Sequence, residues 1–108
     1  MKVAISSTGD QLESEMDARF GRCAYFIVAE TEEMSFTAHA NTHAELSSGA
    51  GIQSAGFLAD QGVRAVLTGN CGPKASQVFG AAGIAVYSGY TGTVKDALEI
   101  FKQKSTGQ

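Results

Sequence analysis

The chain has 108 residues, of which 44% are hydrophobic, and a formal net charge of −3 at pH 7. This length supplies one hydrophobic core, so we predict a single domain over residues 1–108 and no separate catalytic domain. Scattered charges argue against nucleic-acid binding and a polybasic membrane patch, and the absence of a signal peptide or an apolar span predicts a cytoplasmic protein.

The amino-terminal part of the chain predicts one strand followed by a long polar loop. Residues 2–6 (KVAIS) form the strand, and residues 7–22 show no sustained helical or strand period, apart from an expected helical turn at 17–20. Long irregular loops inside compact domains are uncommon and usually functional. Arg19 and Arg22 in this loop are therefore candidate binding residues.

A hairpin and a helix come next. Residues 23–30 (CAYFIVAE) and 34–40 (MSFTAHA) alternate as two antiparallel strands, the second at a sheet edge with its apolar side chains on one face. A second polar loop at 41–51 leads into an amphipathic helix starting near Ile52, which Gly62 ends.

The remainder of the chain predicts a βαβ unit and a final helix. Apolar runs at 63–67 and 84–87 are typical of buried parallel strands, and the helix between them begins at Pro73 and ends at Gly83. The sequence from Thr93 has the form of a capping box followed by an apolar helical stripe.

This element order predicts an α/β sandwich with a mixed five-stranded sheet in which the second strand is antiparallel. The carboxyl ends of the parallel strands then share one rim with both polar loops, and ligands of open α/β sheets bind at such edges. The turn from Gly69 to Gly72 leads into a helix N-terminus, where N–H groups, the helix dipole and Lys74 favour an anion. The alternative is a tight turn whose glycines serve geometry alone.

A series of short motifs runs along nearly the whole chain. They are Phe20-Gly21-Arg22, Asn41 with later Gly49 and Gly51, Gly62-Val63, Thr68-Gly69-Asn70 with Gly72-Pro73, Ala82-Gly83-Ile84 and Gly92-Thr93-Val94. In this order they resemble the dinitrogenase iron-molybdenum cofactor biosynthesis family, which includes NifX-like cofactor carriers and the molybdenum-copper orange protein of anaerobes.

The resemblance implies a three-layer, ribonuclease H-like fold and a carrier instead of an enzyme. Its cargo would be an anionic metal-sulfur cluster of molybdenum with iron or copper, or a thiometallate precursor. The motif residues Asn41, Gly69, Asn70 and Gly72 would bind this cargo. The cations Arg19, Arg22 and Lys74 would bind it with them. Cofactor-assembly or redox proteins are the implied partners of a monomer or weak dimer.

Four side chains are candidate soft-metal ligands. Cys23 follows the first motif and Cys71 lies inside the glycine turn, and each is either a thiolate ligand or a buried small hydrophobe. Their separation along the chain and a reducing compartment argue against a structural disulfide. His39 and His43 are further candidates, and His43 in the polar loop is the better one.

Two other functions fit the same sequence. A small regulatory or interaction domain could retain the fold and pair through the edge strand at 34–40. A nuclease of the ribonuclease H type needs carboxylates that hold two metal ions. The first strand, KVAIS, contains no acid, which argues against the nuclease.

Overall fold

A computed structural model of the protein describes residues 1–33, 35–46 and 48–106. Met34, which the sequence placed at the start of the edge strand, lies outside them. In the described part no helix has the length and apolar character needed to cross a membrane. The elements are β1 (Lys2–Ser7), β2 (Tyr25–Glu30), β3 (Ser35–Ala40), α1 (Ala50–Asp60), β4 (Ala65–Leu67), α2 (Pro73–Ala81), β5 (Ala85–Tyr87) and α3 (Val94–Thr106).

The five strands form one mixed sheet in the order β3-β2-β1-β4-β5. Strands β1, β4 and β5 are parallel, and β2 is antiparallel to both of its neighbours. The predicted sheet, with its antiparallel second strand, is therefore confirmed. Because of this topology, the ends of β1, β3, β4 and β5 and the start of β2 lie at one edge of the sheet.

Alternate side chains of the central strands enter two separate hydrophobic clusters. Ala4 and Val66 pack on one face against α1 and α2, whereas Val3, Ile5 and Leu67 pack on the other face against α3. This alternation follows from the two-residue period of a strand. The buried aromatic rings Phe26 and Phe79 fill the first cluster, and Phe20 from the long loop contacts both of them.

Strand β3 is an edge strand whose apolar side chains Phe36, Ala38 and Ala40 share one face, as the sequence predicts. Phe36, Ala38 and Ala40 are exposed, and only His39 is half-buried. The cluster beneath α3 draws on β1, β2 and β4 but takes no residue from β3. Phe36 instead lines a depression together with Lys95 and Leu98 of α3. His39 lies on the opposite face, where its ring packs edge-on against Phe57 of α1 with centroids 5.4 Å apart.

The helical turn expected at 17–20 is absent, and that prediction is wrong. Residues in this part of the loop form isolated bridges with other segments, including Ser7 with Met16 and Arg19 with Asn70. The N–H group of Asp17 donates to the Ser6 carbonyl and that of Phe20 to the Asn70 carbonyl. These long-range partners use the backbone groups that a helical turn would need.

The predicted helix ends are present. Pro73 is the first residue of α2, and Gly62 and Gly83 follow α1 and α2 with positive φ angles of 80° and 75°. At the start of α3 the Asp96 N–H donates to Thr93 Oγ1 at 3.1 Å, and the Thr93 N–H donates to the Asp96 carboxylate at 3.2 Å. This reciprocal pair is the predicted capping box.

Thr93→Ala should lower the free energy of unfolding by about 1 kcal/mol, because it leaves an N–H group of α3 without its side-chain acceptor. Chemical denaturation measures this loss. Thr91→Ala, an exposed change of the same kind two residues earlier, should stay within about 0.5 kcal/mol of the parent. Equal losses in both variants would show that the capping box does not stabilise the helix.

Candidate functional site

The candidate site is the rim, which we define as the sheet edge formed by residues 8–24, 41–46, 48–49, 68–72 and 88–93. Backbone hydrogen bonds join these segments directly. The Met16 N–H donates to the Gly92 carbonyl at 2.9 Å, and the Gly89 N–H donates to the Gly69 carbonyl at 2.9 Å. The rim predicted from topology is therefore a connected surface.

The closest connection in the rim joins Ala18 to the glycine turn. The Asn70 N–H donates to the Ala18 carbonyl at 2.7 Å, and the Phe20 N–H returns a bond to the Asn70 carbonyl at 3.2 Å. A Cβ atom on Gly69 would lie only 2.7 Å from Ala18. Gly69 thus has a packing reason to be glycine, because Ala18 occupies the space beside it.

Buried hydroxyl groups anchor the long loop to the strands beneath it. Ser6 Oγ donates to the Asp17 carbonyl at 2.6 Å and lies 2.8 Å from Thr68 Oγ1, and both hydroxyl residues are fully buried. Sequence reasoning missed this pair. The available signal was the position of each hydroxyl, directly after the apolar residues of a buried strand.

Asn41 holds the second polar loop against the Phe20-Gly21-Arg22 motif. Its amide nitrogen donates to the carbonyls of Gly21 at 3.1 Å and Cys23 at 2.9 Å. Its amide oxygen accepts from the His43 N–H at 3.1 Å and from the Ser54 hydroxyl at 3.3 Å. The side chain is hydrogen-bonded at both ends, so Asn41 connects the second polar loop to the Phe20-Gly21-Arg22 motif.

Both rim arginines already have partners. Arg19 forms an ion pair with Asp17 at 3.2 Å, and Arg22 donates to the carbonyls of Ala44, at 2.7 Å, and Leu46. Burial acts to raise the pKa of the Asp17 carboxyl, but hydrogen bonds from the Arg19 side chain and backbone outweigh it and hold that pKa below its usual value. The Arg19 side chain is 71% exposed, so an incoming anion could compete for it.

The open part of the rim is the start of α2. Gly72 is the N-cap residue. Among the described residues, no side chain caps the helix and nothing lies within 4 Å of the position of a Cβ atom there. The side chains of Asn70 and Lys74 are exposed and make no hydrogen bond or ion pair within the part of the chain that the structure describes.

Helix α1 starts beside α2. It also has a glycine N-cap, Gly49, to which the described part of the chain adds no side-chain cap, and Gly51 in its first turn lies next to Ala75 of α2. The backbone of Gly21 lies against Gly51, because a Cβ atom on Gly21 would be 2.7 Å from the Gly51 nitrogen. The N-terminus of α2 is therefore the more accessible of the two.

The two cysteines have different surroundings. Cys23 is fully buried, and this burial raises the pKa of its thiol to about 12. These features favour the packing alternative for Cys23. Cys71 is only half-buried, in the turn beside the open N-terminus of α2, so it is the better placed of the two to contact a ligand.

His39 and His43 line one depression beside Phe57, at the end of β3. His39 Nε2 is 3.0 Å from Thr37 Oγ1. Among residues 1–33, 35–46 and 48–106, no three His, Cys, Asp or Glu side chains come together in a group that could hold a metal ion. The structure thus does not assemble Cys23, Cys71 and His43 into one set of ligands.

Residues 1–104 match the sequence profile of the family described as dinitrogenase iron-molybdenum cofactor. The chain belongs to this family. The resemblance carried by the motifs is confirmed over nearly the full length. Members of the dinitrogenase iron-molybdenum cofactor family are carrier and binding proteins, so the prediction that the chain is not an enzyme agrees with its membership.

Relatives in this family match along almost the whole chain. An uncharacterized protein of Methanocaldococcus jannaschii is 33% identical over 104 residues, which is 94% of this chain and 85% of the relative. The apo form of the orange protein from Desulfovibrio gigas superposes with a TM-score of 0.92 and 39% identity over 95% of this chain and 88% of its own. A NifB-like Thermotoga protein gives a TM-score of 0.83 and 35% identity, with coverages of 94% and 87%.

Gly69→Ala should lower the free energy of unfolding by about 1–3 kcal/mol, because the added methyl group overlaps Ala18. Gly56→Ala is the matched control, because Gly56 lies inside α1 with nothing within 4 Å. That change should raise stability by about 0.5–1 kcal/mol. Urea denaturation of both variants measures the difference, and a neutral Gly69→Ala would contradict the close contact with Ala18.

The cysteines should differ in reactivity toward a thiol reagent at mildly alkaline pH. Only a thiolate reacts, and a thiol with a pKa of about 12 remains protonated there, so Cys23 should react only after unfolding. Mass spectrometry after brief alkylation of the native protein should find label on Cys71 alone. Labelling of Cys23 at the rate of Cys71 would show that its burial is lost in solution.

Proposed function

We propose that this chain binds an anionic metal-sulfur cluster, or a thiometallate precursor, at the rim and carries it during cofactor assembly. The cargo would contain molybdenum with iron or copper. Family membership supports the cluster class, since the family takes its name from the iron-molybdenum cofactor. The orange protein of D. gigas, a structural neighbour, was solved in an apo form, which implies that it also has a ligand-bound form.

The observation that carries the proposal is the open start of α2. Its first N–H groups have no side-chain cap, the dipole places partial positive charge there, and Lys74 adds a full charge. Cys71 and the Asn70 amide flank the same turn. An anion with several sulfur acceptors could use all of these donors, with Gly72 allowing close approach.

The donor set fits a cargo held mainly by hydrogen bonds and charge. No group of three metal-ligating side chains is present in the described ranges, so protein ligands alone would not enclose a metal ion. A preassembled cluster brings its own sulfide ligands and needs only one or two protein atoms, for which Cys71 is the candidate at the α2 turn, whereas His43 lies in the depression at the end of β3. Such weak attachment suits a carrier, because the cargo has to leave again.

We infer that the fold is the three-layer, ribonuclease H-like sandwich that the resemblance implies, and helices on both faces of the sheet support this. We also infer that the chain works in the cytoplasm and passes its cargo to cofactor-assembly or redox proteins. The interaction-domain alternative draws support from the exposed β3 edge.

Anaerobic titration of the metal-free protein with tetrathiomolybdate, with and without Cu(I), tests the proposal. We expect molybdenum to co-elute with the protein on gel filtration, and the visible spectrum of the bound thiometallate to change. Elemental analysis gives the metal content. Protein that elutes without molybdenum and leaves the spectrum unchanged would contradict cluster binding.

Lys74→Gln should weaken thiomolybdate binding by about tenfold, because it removes a charge-assisted contact. Lys74→Arg should largely restore it. Arg64→Gln is the control. Arg64 is an exposed cation just before β4, at the end of the sheet away from the rim. An equal loss of thiomolybdate affinity in Lys74→Gln and Arg64→Gln would indicate general charge attraction and would contradict a binding site at the start of α2.

Cys71→Ser distinguishes ligation from packing. A thiolate ligand predicts a changed spectrum of the bound metal with little loss of stability, because serine keeps the size but loses the soft donor. A packing role predicts an unchanged spectrum and modest destabilisation. The double variant with Cys23→Ser and Cys71→Ser tests both thiols together. If it takes up thiomolybdate as the wild type does, neither cysteine is a ligand, and the remaining contacts are backbone N–H groups, Arg19, Arg22 and Lys74.

A further inference from the structure

Strand β3 presents an unprotected edge. It is six residues long, it pairs with β2 in an unbroken register, and it is the last strand on its side of the sheet. Natural edge strands usually carry a lysine, a proline, a bulge or an inward charge that prevents pairing with another chain. The sequence Ser35–Ala40 (SFTAHA) contains none of these.

The edge strand on the other side of the sheet, β5, provides a comparison. Strand β5 has only three residues, Ala85–Tyr87, and short edge strands are themselves a protection against pairing. A six-residue strand instead offers enough unpaired N–H and C=O groups for a new strand pair. The two edges of this sheet therefore differ in their capacity to bind another strand.

We propose that two copies of this chain pair antiparallel through β3 and join their five-stranded sheets into one. A two-fold axis perpendicular to the sheet keeps each face continuous and lets a residue face its own copy. With Ala38 at the axis, Phe36 lies opposite the partner's Ala40, and Thr37 lies opposite the partner's His39.

Both faces of β3 are complementary in this register. On the face toward α3, the large exposed ring of Phe36 meets a small alanine, so the two fit without a clash. On the face toward α1, Thr37 Oγ1 and His39 Nε2 already form a polar pair within one strand at 3.0 Å. Pairing across the axis would exchange each of these contacts for an equivalent one between the two copies, so this face fits the register without losing a polar contact.

The surroundings of β3 favour a second copy as the occupant. On the α1 face, Glu30 and Glu33 line a depression at the start of β3 together with one cation, Lys2, and His39 and His43 line another at its end. Antiparallel pairing brings the carboxylate end of one copy beside the imidazole end of the other. An unrelated strand would match this polarity only by chance.

The pairing has two consequences. Six residues bury less surface than the roughly 1,200–2,000 Å² of a stable interface, so the dimer is weak and depends on concentration. The rims of the two copies lie at opposite ends of the joined sheet, because the strands are antiparallel. Each copy therefore keeps its own α2 turn accessible, and pairing needs no cargo.

Sedimentation velocity of the metal-free protein from micromolar to millimolar concentration tests the pairing. We expect a rising average mass for the wild type. Ala38→Lys should raise the dissociation constant by at least about tenfold, because it places like charges opposite each other at the axis. Ala85→Lys makes the same change on the exposed edge of β5 and should leave the association unchanged.

Disulfide trapping checks the register in a Cys71→Ser background. Ala38→Cys should form a disulfide-linked dimer under mild oxidation, and Ala85→Cys should stay monomeric. A wild type that remains monomeric at millimolar concentration would overturn the proposal, as would equal effects of lysine at the two edges. A monomer that binds a strand-like peptide at β3 would overturn self-pairing in favour of another partner. None of these results depends on whether the rim binds a cluster.

Discussion

The contact between Ala18 and the Gly69-Asn70 turn determines the shape of the rim. Two backbone hydrogen bonds and the missing side chain of Gly69 bring the long loop onto the end of β4. The buried hydroxyls of Ser6 and Thr68 hold the adjoining backbone at Asp17. Because the loop is fixed in this way, the turn at Gly72 stays uncovered and the start of α2 remains accessible.

This arrangement separates the residues that build the rim from those that face outward. Asn41, Gly69 and Gly21 are used in contacts between loops, although they belong to the motifs that mark the family. Lys74, Asn70 and Gly72 are open to solvent. A motif can therefore be characteristic of a family because it shapes a surface through contacts between loops.

Much of the fold could be predicted from the sequence, because strand alternation, the single proline and the glycines at helix ends are local signals. The order of strands followed from the antiparallel hairpin and the βαβ unit, and the rim followed from that order. The bridges of the long loop could not be predicted, since they depend on partners distant in sequence. The exposure of Phe36 depends on how far α3 extends over the sheet, and no local sequence pattern indicates that distance.

The candidate site was only partly predictable for the same reason. The sequence indicated the glycine turn and its cations, but it did not distinguish the buried Cys23 from the half-buried Cys71, because burial depends on packing. It also gave no sign that Arg22 binds the carbonyl groups of the neighbouring loop. Charge alone suggested three equal cations, whereas the structure describes partners for the two arginines and none for Lys74.

The proposed function depends on binding of an anionic cluster at the start of α2 through backbone N–H groups. Two-dimensional amide NMR of the labelled protein during anaerobic addition of tetrathiomolybdate tests it most directly. We expect the largest shifts at the N–H groups of Cys71, Gly72, Lys74 and Ala75, with little change at Lys2 and Arg64 at the end of the sheet away from the rim. Shifts centred on that far end, or no saturable shifts at all, would contradict it.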